Sequence, residues 1–153
     1  MSSLSDEELC VKVIDNANLE TLDAFNGVYA LDELPNSIPN RPIFFIVNTQ
    51  THNLKGEHWK VLFIDGKGNG EVFDSLAQPM NAMLTRFMSR FTRQWRRNYK
   101  VYQHPNSTTC GAFALFYVLK RLDFPSMIAL TNCFSSSLYA NECLVRDFYE
   151  KLK

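Results

Sequence analysis

The chain has 153 residues, 46% of them hydrophobic, with 16 basic and 16 acidic side chains and no net charge; it is long enough to enclose a core and suits one domain spanning 1–153. Four scattered cysteines, Cys10, Cys110, Cys133 and Cys143, exclude a disulfide scaffold, and with no C-x-x-C or His/Cys cluster no metal is expected. There is neither a long unbroken apolar run nor a basic stretch leading into one, which excludes a membrane partner and points to a soluble, intracellular protein kept reduced.

Ser5 followed by Glu8 has the form of a capping box, and Leu9, Val13 and Ile14 then mark the apolar face of a short helix ending near Asn16. Residues 17–42, with Gly27, Pro35, Pro39 and Pro42, read as an irregular surface segment. Ile43 to Asn48 is a continuous apolar run rich in β-formers, expected as a strand buried on both faces. Trp59 to Asp65 is the next strand. The cluster Gly66, Gly68, Asn69 and Gly70 marks a turn, and Glu71 to Asp74 pairs back as the second arm of a hairpin.

From Pro79, the residues Met80, Met83, Leu84, Phe87, Met88, Phe91 and Trp95 recur at helical spacing, with Arg86, Arg90, Arg93 and Arg97 in a line on the opposite face. Those arginines sit in a one-sided stretch. Residues 1–74 hold twelve acidic and five basic side chains, whereas residues 75–122 hold eight basic and no acidic ones, so a polyanion such as DNA is a natural counter-surface. Tyr99 to Gln103 alternates like a strand, Pro105 to Thr109 is a loop, Cys110 to Arg121 is a buried helix, and two shorter helices follow near 126–134 and 138–151. The order of strands and helices indicates an α+β fold.

A thiol attacks a carbonyl as thiolate, so a nucleophilic cysteine needs an imidazole nearby and often a helix N-terminus. Cys110 is placed in the first turn of an apolar helix, and Gly111 would keep the backbone there open to a substrate. Gln103, seven residues upstream, can aim its amide at the carbonyl being attacked and share an oxyanion with the Cys110 backbone N–H. His58 opens one strand and Asp74 closes its hairpin neighbour, which can bring base and carboxylate to the same sheet edge. Singly, each has a plainer reading: a packed thiol, a turn carboxylate, a solvated strand end. Together they form a workable set.

The blocks Glu57-His58-Trp59, Phe73-Asp74 and residues 103–113 (QHPNSTTCGAF) resemble the adenovirus endopeptidase family and, more widely, the ubiquitin-like-protein proteases. The last block is the specific part, sharing the separation between Gln and Cys. Carried over, the resemblance makes Cys110 the nucleophile, His58 the general base, Asp74 the third member and Gln103 the oxyanion donor, with Trp59 walling the active-site groove. It implies a central mixed β-sheet packed by helices, the nucleophile at the N-terminus of a buried helix, cleavage next to small residues such as Gly, and stimulation by DNA. Asp74 stands where the adenovirus enzymes carry Glu and matches the ubiquitin-like-protein proteases. No cysteine lies between Cys10 and Cys110, so disulfide-linked peptide activation does not transfer.

The resulting expectation is a monomeric cysteine endopeptidase that matures viral capsid or core precursor proteins through a thioester acyl-enzyme. Its partners are a protein or peptide substrate and DNA as activator, it needs no cofactor for the chemistry, and its location is the host nucleus and virion. Two other readings stand beside it: a protease that removes ubiquitin or a ubiquitin-like modifier, and a noncatalytic, arginine-rich DNA-binding protein in which Cys110 is only packed.

Overall fold

The computed structural model describes residues 1–49 and 58–153; Glu57 of the Glu-His-Trp block lies outside them. Helix α1 (Asp6–Asn16) begins at the expected capping box: Ser5 Oγ accepts the Glu8 N–H and Glu8 Oε1 accepts the Ser5 N–H, both at 3.1 Å. Leu9 and Val13 are fully buried, but Ile14 is 53% exposed. It follows Val13 by one residue, about 100° further round the helix, and so leaves the face that Leu9 and Val13 share.

Residues 17–42 are more ordered than their composition suggests. Helix α2 (Leu19–Ala24), capped by the Asn18 side chain, leads into strand β1 (Phe25–Ala30). All six residues of this strand are half-buried, because β1 is the edge of the sheet, so no inside/outside alternation marks it. Its register shifts between Phe25 and Gly27, and Gly27 takes a φ of 139°, a region that side chains disfavour. The three prolines come later, in the irregular approach to β2 (Ile43–Asn48).

Strands β2, β3 (Trp59–Ile64) and β4 (Asn69–Phe73) form the expected antiparallel run, with Ile43 opposite Ile64 and Ile64 opposite Gly70. Parallel strands flank it: β1 beside β2, and β5 (Gln94–Arg97) beside β4. The sheet is therefore mixed, in the order β1-β2-β3-β4-β5. Phe44, Ile46, Val61, Phe63 and Phe73 point to one face, and Ile43, Phe45, Val47, Leu62, Ile64 and Val72 to the other. Helices cover both faces, which is why β2 and β3 read as unbroken apolar runs.

The region around the arginines departs most from expectation. Helix α3 (Ala82–Phe91) starts at an Asn81 cap and stops at Thr92, whose backbone is extended and whose hydroxyl donates to the Met88 carbonyl. Residues 94–97 then form β5, so Trp95 belongs to a strand and packs against Gly70, where an added Cβ would come within 2.6 Å of Met88 and Thr92. Arg86 and Arg90 lie on α3, Arg93 in the connection and Arg97 on β5. The four-arginine line does not form, because the tertiary pairing of β5 with β4 overrides a helical pattern that local spacing alone would continue. Likewise 99–103 is irregular; the strand lies just upstream.

Helix α4 (Cys110–Lys120) is apolar almost all round, and nine of its eleven residues are buried. It packs with α1 and α6 (Leu138–Glu150) on the face of the sheet formed by Phe44 and Phe63. A short helix α5 (Met127–Thr131) precedes α6, close to where two terminal helices were expected. The C-terminal end of α4 is pinned to β4. Arg121 binds the Glu71 carboxylate through two N–H groups at 2.8 and 2.6 Å, and the Tyr117 hydroxyl donates to the same carboxylate. Among the described residues no helix is long and apolar enough to cross a membrane.

Candidate active site

His58 immediately precedes β3, and Asp74 immediately follows β4. Because these strands are antiparallel neighbours, with Val61 opposite Phe73, the two side chains meet at one end of the sheet. His58 Nε2 lies 2.5 Å from Asp74 Oδ1. The Cys110 side chain, at the start of α4, hydrogen-bonds to the same imidazole. With Nε2 directed at the carboxylate, Nδ1 is the nitrogen that remains for the sulfur. The ring thus stands between a carboxylate and a thiol, and all three residues are buried.

The Asp74 carboxylate is held on every side. Its Oδ1 also accepts the Leu76 N–H at 2.8 Å, and its Oδ2 accepts the Gln78 N–H at 3.0 Å and lies 3.3 Å from Lys60 Nζ. Asn98 clamps its backbone, accepting the Asp74 N–H at 2.8 Å and donating to the Asp74 carbonyl at 2.7 Å. Arg97 supports the same turn by donating to the Ala77 carbonyl at 2.9 Å, and it stacks on Tyr99. That is a structural task rather than the exposed one expected of it.

Gln103 joins the group through Ser75. The Ser75 hydroxyl donates to Gln103 Oε1 at 2.6 Å, and the Ser75 carbonyl accepts the backbone N–H groups of Tyr102 and Gln103. With its oxygen so occupied, Gln103 must present its NH₂ on the other side, where it donates to the Ser107 carbonyl at 3.1 Å. An amide nitrogen carries two hydrogens, so the orientation also aims a second donor. Cys110 opens α4, and its backbone N–H belongs to the first turn, whose N–H groups point outward from the helix end.

Electrostatics follow from this packing. Burial on its own pulls the His58 pKa down, but the hydrogen bonds from Asp74 and Cys110 and their charges outweigh it and raise it from 6.5 to about 9. For Asp74, burial pushes upward, yet the His58 hydrogen bond and the His58 and Lys60 charges hold the carboxyl below its ordinary value. At neutral pH the pair is therefore imidazolium and carboxylate. The His58 contribution to stability is complete below pH 6.5 and lost as pH rises through about 9, while that of Asp74 is present above its ordinary value of 3.8 and lost as pH falls through the depressed one. The melting temperature should accordingly decline between pH 6.5 and 9, and His58→Gln should flatten that limb; parallel wild-type and variant profiles would count against the assignment.

Two residues expected at the substrate groove are otherwise engaged. Gly111 is buried, and a Cβ added there would meet Leu4 at 3.0–3.1 Å, so its missing side chain makes room for the N-terminal segment rather than for an open backbone. The Trp59 indole is 6% exposed and donates to the Leu4 carbonyl at 3.1 Å. Sequence reasoning missed Lys60, Ser75, Asn98 and Glu142. Lys60 had a signal, since a lysine inside an apolar strand is costly unless paired. Ser75 adjoins Asp74, but nothing local marks Asn98 or Glu142. Among the described residues no group of three His, Cys, Asp or Glu side chains could hold a metal ion.

Comparison with known proteins gives three kinds of result. A model of the Ulp1 protease family, C-terminal catalytic domain, matches residues 39–121, which is more than half of the chain and runs from the approach to β2 to the end of α4. No curated protein sequence matches the chain. Among solved structures, the ASFV pS273R protease superposes with a TM-score of 0.62 at 16% identity, covering 84% of this chain and 61% of that one. The central domain of the uncharacterized Lpg1148 protein from Legionella pneumophila gives 0.54 at 10% identity and covers 96% of this chain and 97% of that one. At these identities the likeness is one of fold, and the chain spans only 61% of the length of the ASFV protease.

Proposed function

Because the chain belongs to the Ulp1 protease family, we propose that it is a cysteine-type peptidase whose catalytic set is Cys110, His58, Asp74 and Gln103, and that it is an endopeptidase cutting precursor proteins next to small residues such as Gly. The observation that carries this reading is the His58 ring held between the Asp74 carboxylate and the Cys110 thiol. With the proton resting on His58, the Cys110 sulfur bonds as thiolate to the carbonyl carbon, and the carbonyl electrons move onto oxygen. The Cys110 backbone N–H and the Gln103 amide stabilise that oxyanion by a few kcal/mol. As the C–N bond breaks, His58 returns the proton to the departing amine and a thioester remains. Water, deprotonated by His58, then attacks the thioester, and breaking of the C–S bond releases the acid and restores the thiolate beside the imidazolium. Asp74 keeps the imidazole oriented and balances its charge throughout.

Viral capsid or core precursors are the substrates proposed, with the fold of the ASFV pS273R protease as support. The resemblance of His58-Trp59 and Asp74 to the ubiquitin-like-protein proteases supports a second reading, removal of a ubiquitin-like modifier. Stimulation by DNA is proposed through a patch instead of a helical line: Arg41, Lys67, Arg90 and Arg93 border one shallow depression of about 390 Å³.

A library of Gly-containing peptides, assayed with and without duplex DNA, tests these points together. Cleavage is expected with the wild type and not with Cys110→Ser, and iodoacetamide should label Cys110 in preference to Cys10, Cys133 and Cys143. Retention of cleavage by Cys110→Ser would remove the assignment. Faster cleavage of a Gly-Gly-terminated modifier than of any precursor peptide would favour the second substrate class, and a rate indifferent to DNA would end the proposed stimulation.

A further inference from the structure

Glu142 lies on α6, thirty-two positions beyond Cys110, yet its carboxylate is buried and turned toward the loop that leads to the nucleophile. Oε2 accepts the His104 N–H at 3.0 Å and the Ser107 hydroxyl at 3.0 Å, and the Thr109 hydroxyl lies 2.9 Å from both carboxylate oxygens. Among the described residues the nearest basic group is Arg146 Nε, 4.0 Å away and half exposed, so the carboxylate is held chiefly by these loop donors. Its neighbour Asn141 extends the grip by donating to the Tyr102 carbonyl at 3.2 Å. Two adjacent α6 residues thus secure both sides of Gln103.

The cap of α4 shows what this achieves. Ser5, Asn18, Asn81, Ser126 and Ser137 each turn a side-chain oxygen onto the N–H groups of the helix that they precede. Thr109, at the corresponding position of α4, makes no such bond, because its hydroxyl is directed to Glu142. A threonine that capped α4 would place its oxygen on the Gly111 or Ala112 N–H, crowding the helix end beside the Cys110 N–H that faces an incoming carbonyl. Ser107, held by the same carboxylate, offers its own carbonyl to Gln103 Nε2 and so sets the direction of that amide.

We propose that Glu142 is a positioning residue for the oxyanion site: it fixes residues 104–109 so that the Gln103 amide and the Cys110 N–H converge on the carbonyl under attack, and it draws the Thr109 hydroxyl away from the α4 N-terminus. The inference rests on the roles given above to Cys110 and Gln103. Glu142→Gln removes one acceptor and places a donor among three donors. It should lower kcat on the order of 10²-fold, as expected when reacting groups are displaced by about 1 Å, while leaving KM unchanged. Affinity for a peptide aldehyde ending in Gly, whose adduct with Cys110 carries the oxyanion, should weaken in proportion. Alkylation of Cys110 by iodoacetamide, a displacement that forms no oxyanion, should keep the wild-type rate.

Unchanged kcat overturns the proposal, as does a parallel fall in kcat and alkylation, which marks a merely structural role. Should Glu142→Gln not fold, the pair Ser107→Ala and Thr109→Val removes the same contacts from the loop side and must reproduce the split between kcat and alkylation. Cleavage surviving in Cys110→Ser is a different failure: it removes the catalytic reading itself, and the role of Glu142 falls with it.

Discussion

Asp74→Asn should lower kcat for peptide cleavage by about 10⁴-fold, the scale of loss when the carboxylate of a catalytic triad becomes an amide. The wild-type carboxylate receives His58 Nε2 at 2.5 Å and has Lys60 as a second cation at 3.3 Å. An amide cannot balance the imidazolium, and its NH₂ group can face Nε2 only if the ring presents an acceptor there, which moves the proton to Nδ1 and opposes proton transfer from Cys110. The pKa of about 9 on His58 depends on Asp74 against the downward pull of burial, so it should fall in the variant. Steady-state kinetics on the best Gly-containing peptide, together with an NMR titration of the His58 ring, provide the check. A loss below tenfold in a folded variant, or an unmoved His58 titration, would refute the role given to Asp74.

Glu71→Gln should destabilise the fold by about 3–5 kcal/mol, the range for removing one partner of a buried ion pair. The carboxylate accepts two N–H groups from Arg121 and the hydroxyl of Tyr117, and the Arg121 guanidinium also lies 5.0 Å from the Phe63 ring centre. Loss of the negative charge leaves Arg121 buried without a counter-ion. The double variant Glu71→Met with Arg121→Met removes both charges and should recover much of the loss, because an apolar pair of similar volume has neither charge to desolvate. Urea unfolding of the single and double variants measures this. A shift below 1 kcal/mol for Glu71→Gln would mean that the pair contributes little, as exposed pairs do.

The contact has a functional consequence as well. Glu71 and Asp74 lie three residues apart around the end of β4, while Cys110 and Arg121 lie at opposite ends of the α4 region. Pinning Arg121 to Glu71 therefore sets where α4 lies relative to the strand end that carries Asp74, and so where Cys110 meets His58. Residues that hold the site together are spread over β3, β4, the 98–109 segment and α6.

Much of the centre was legible from local pattern. The runs at 43–48 and 59–64 announce buried strands because nearly every side chain is apolar, and helices do cover both faces of the sheet. The capping box at Ser5 and Glu8 needs only neighbouring residues. The block from Gln103 to Phe113, with His58-Trp59 and Asp74 upstream, pointed to the four residues that the fold gathers. Where a helical period ran from Met80 to Trp95, the pattern misled. The apolar residues recur at the right spacing, but Gln94–Arg97 gains backbone partners from β4, and Gly70 leaves room for Trp95 to approach.

Sequence alone determined the fold class, the buried strands, the helix beginning at Cys110 and the chemical types brought to the site, because these depend on side-chain character and on neighbours a few positions away. The tertiary structure decided which long-range partner each polar group meets. Lys60 beside Asp74, Asn98 on the Asp74 backbone, Ser75 on the Gln103 amide and Glu142 beneath the Cys110 loop join positions as distant as 104 and 142. Such pairings follow from burial: a polar group taken out of water must find a hydrogen-bond partner wherever packing offers one, and packing brings together residues that no local spacing connects.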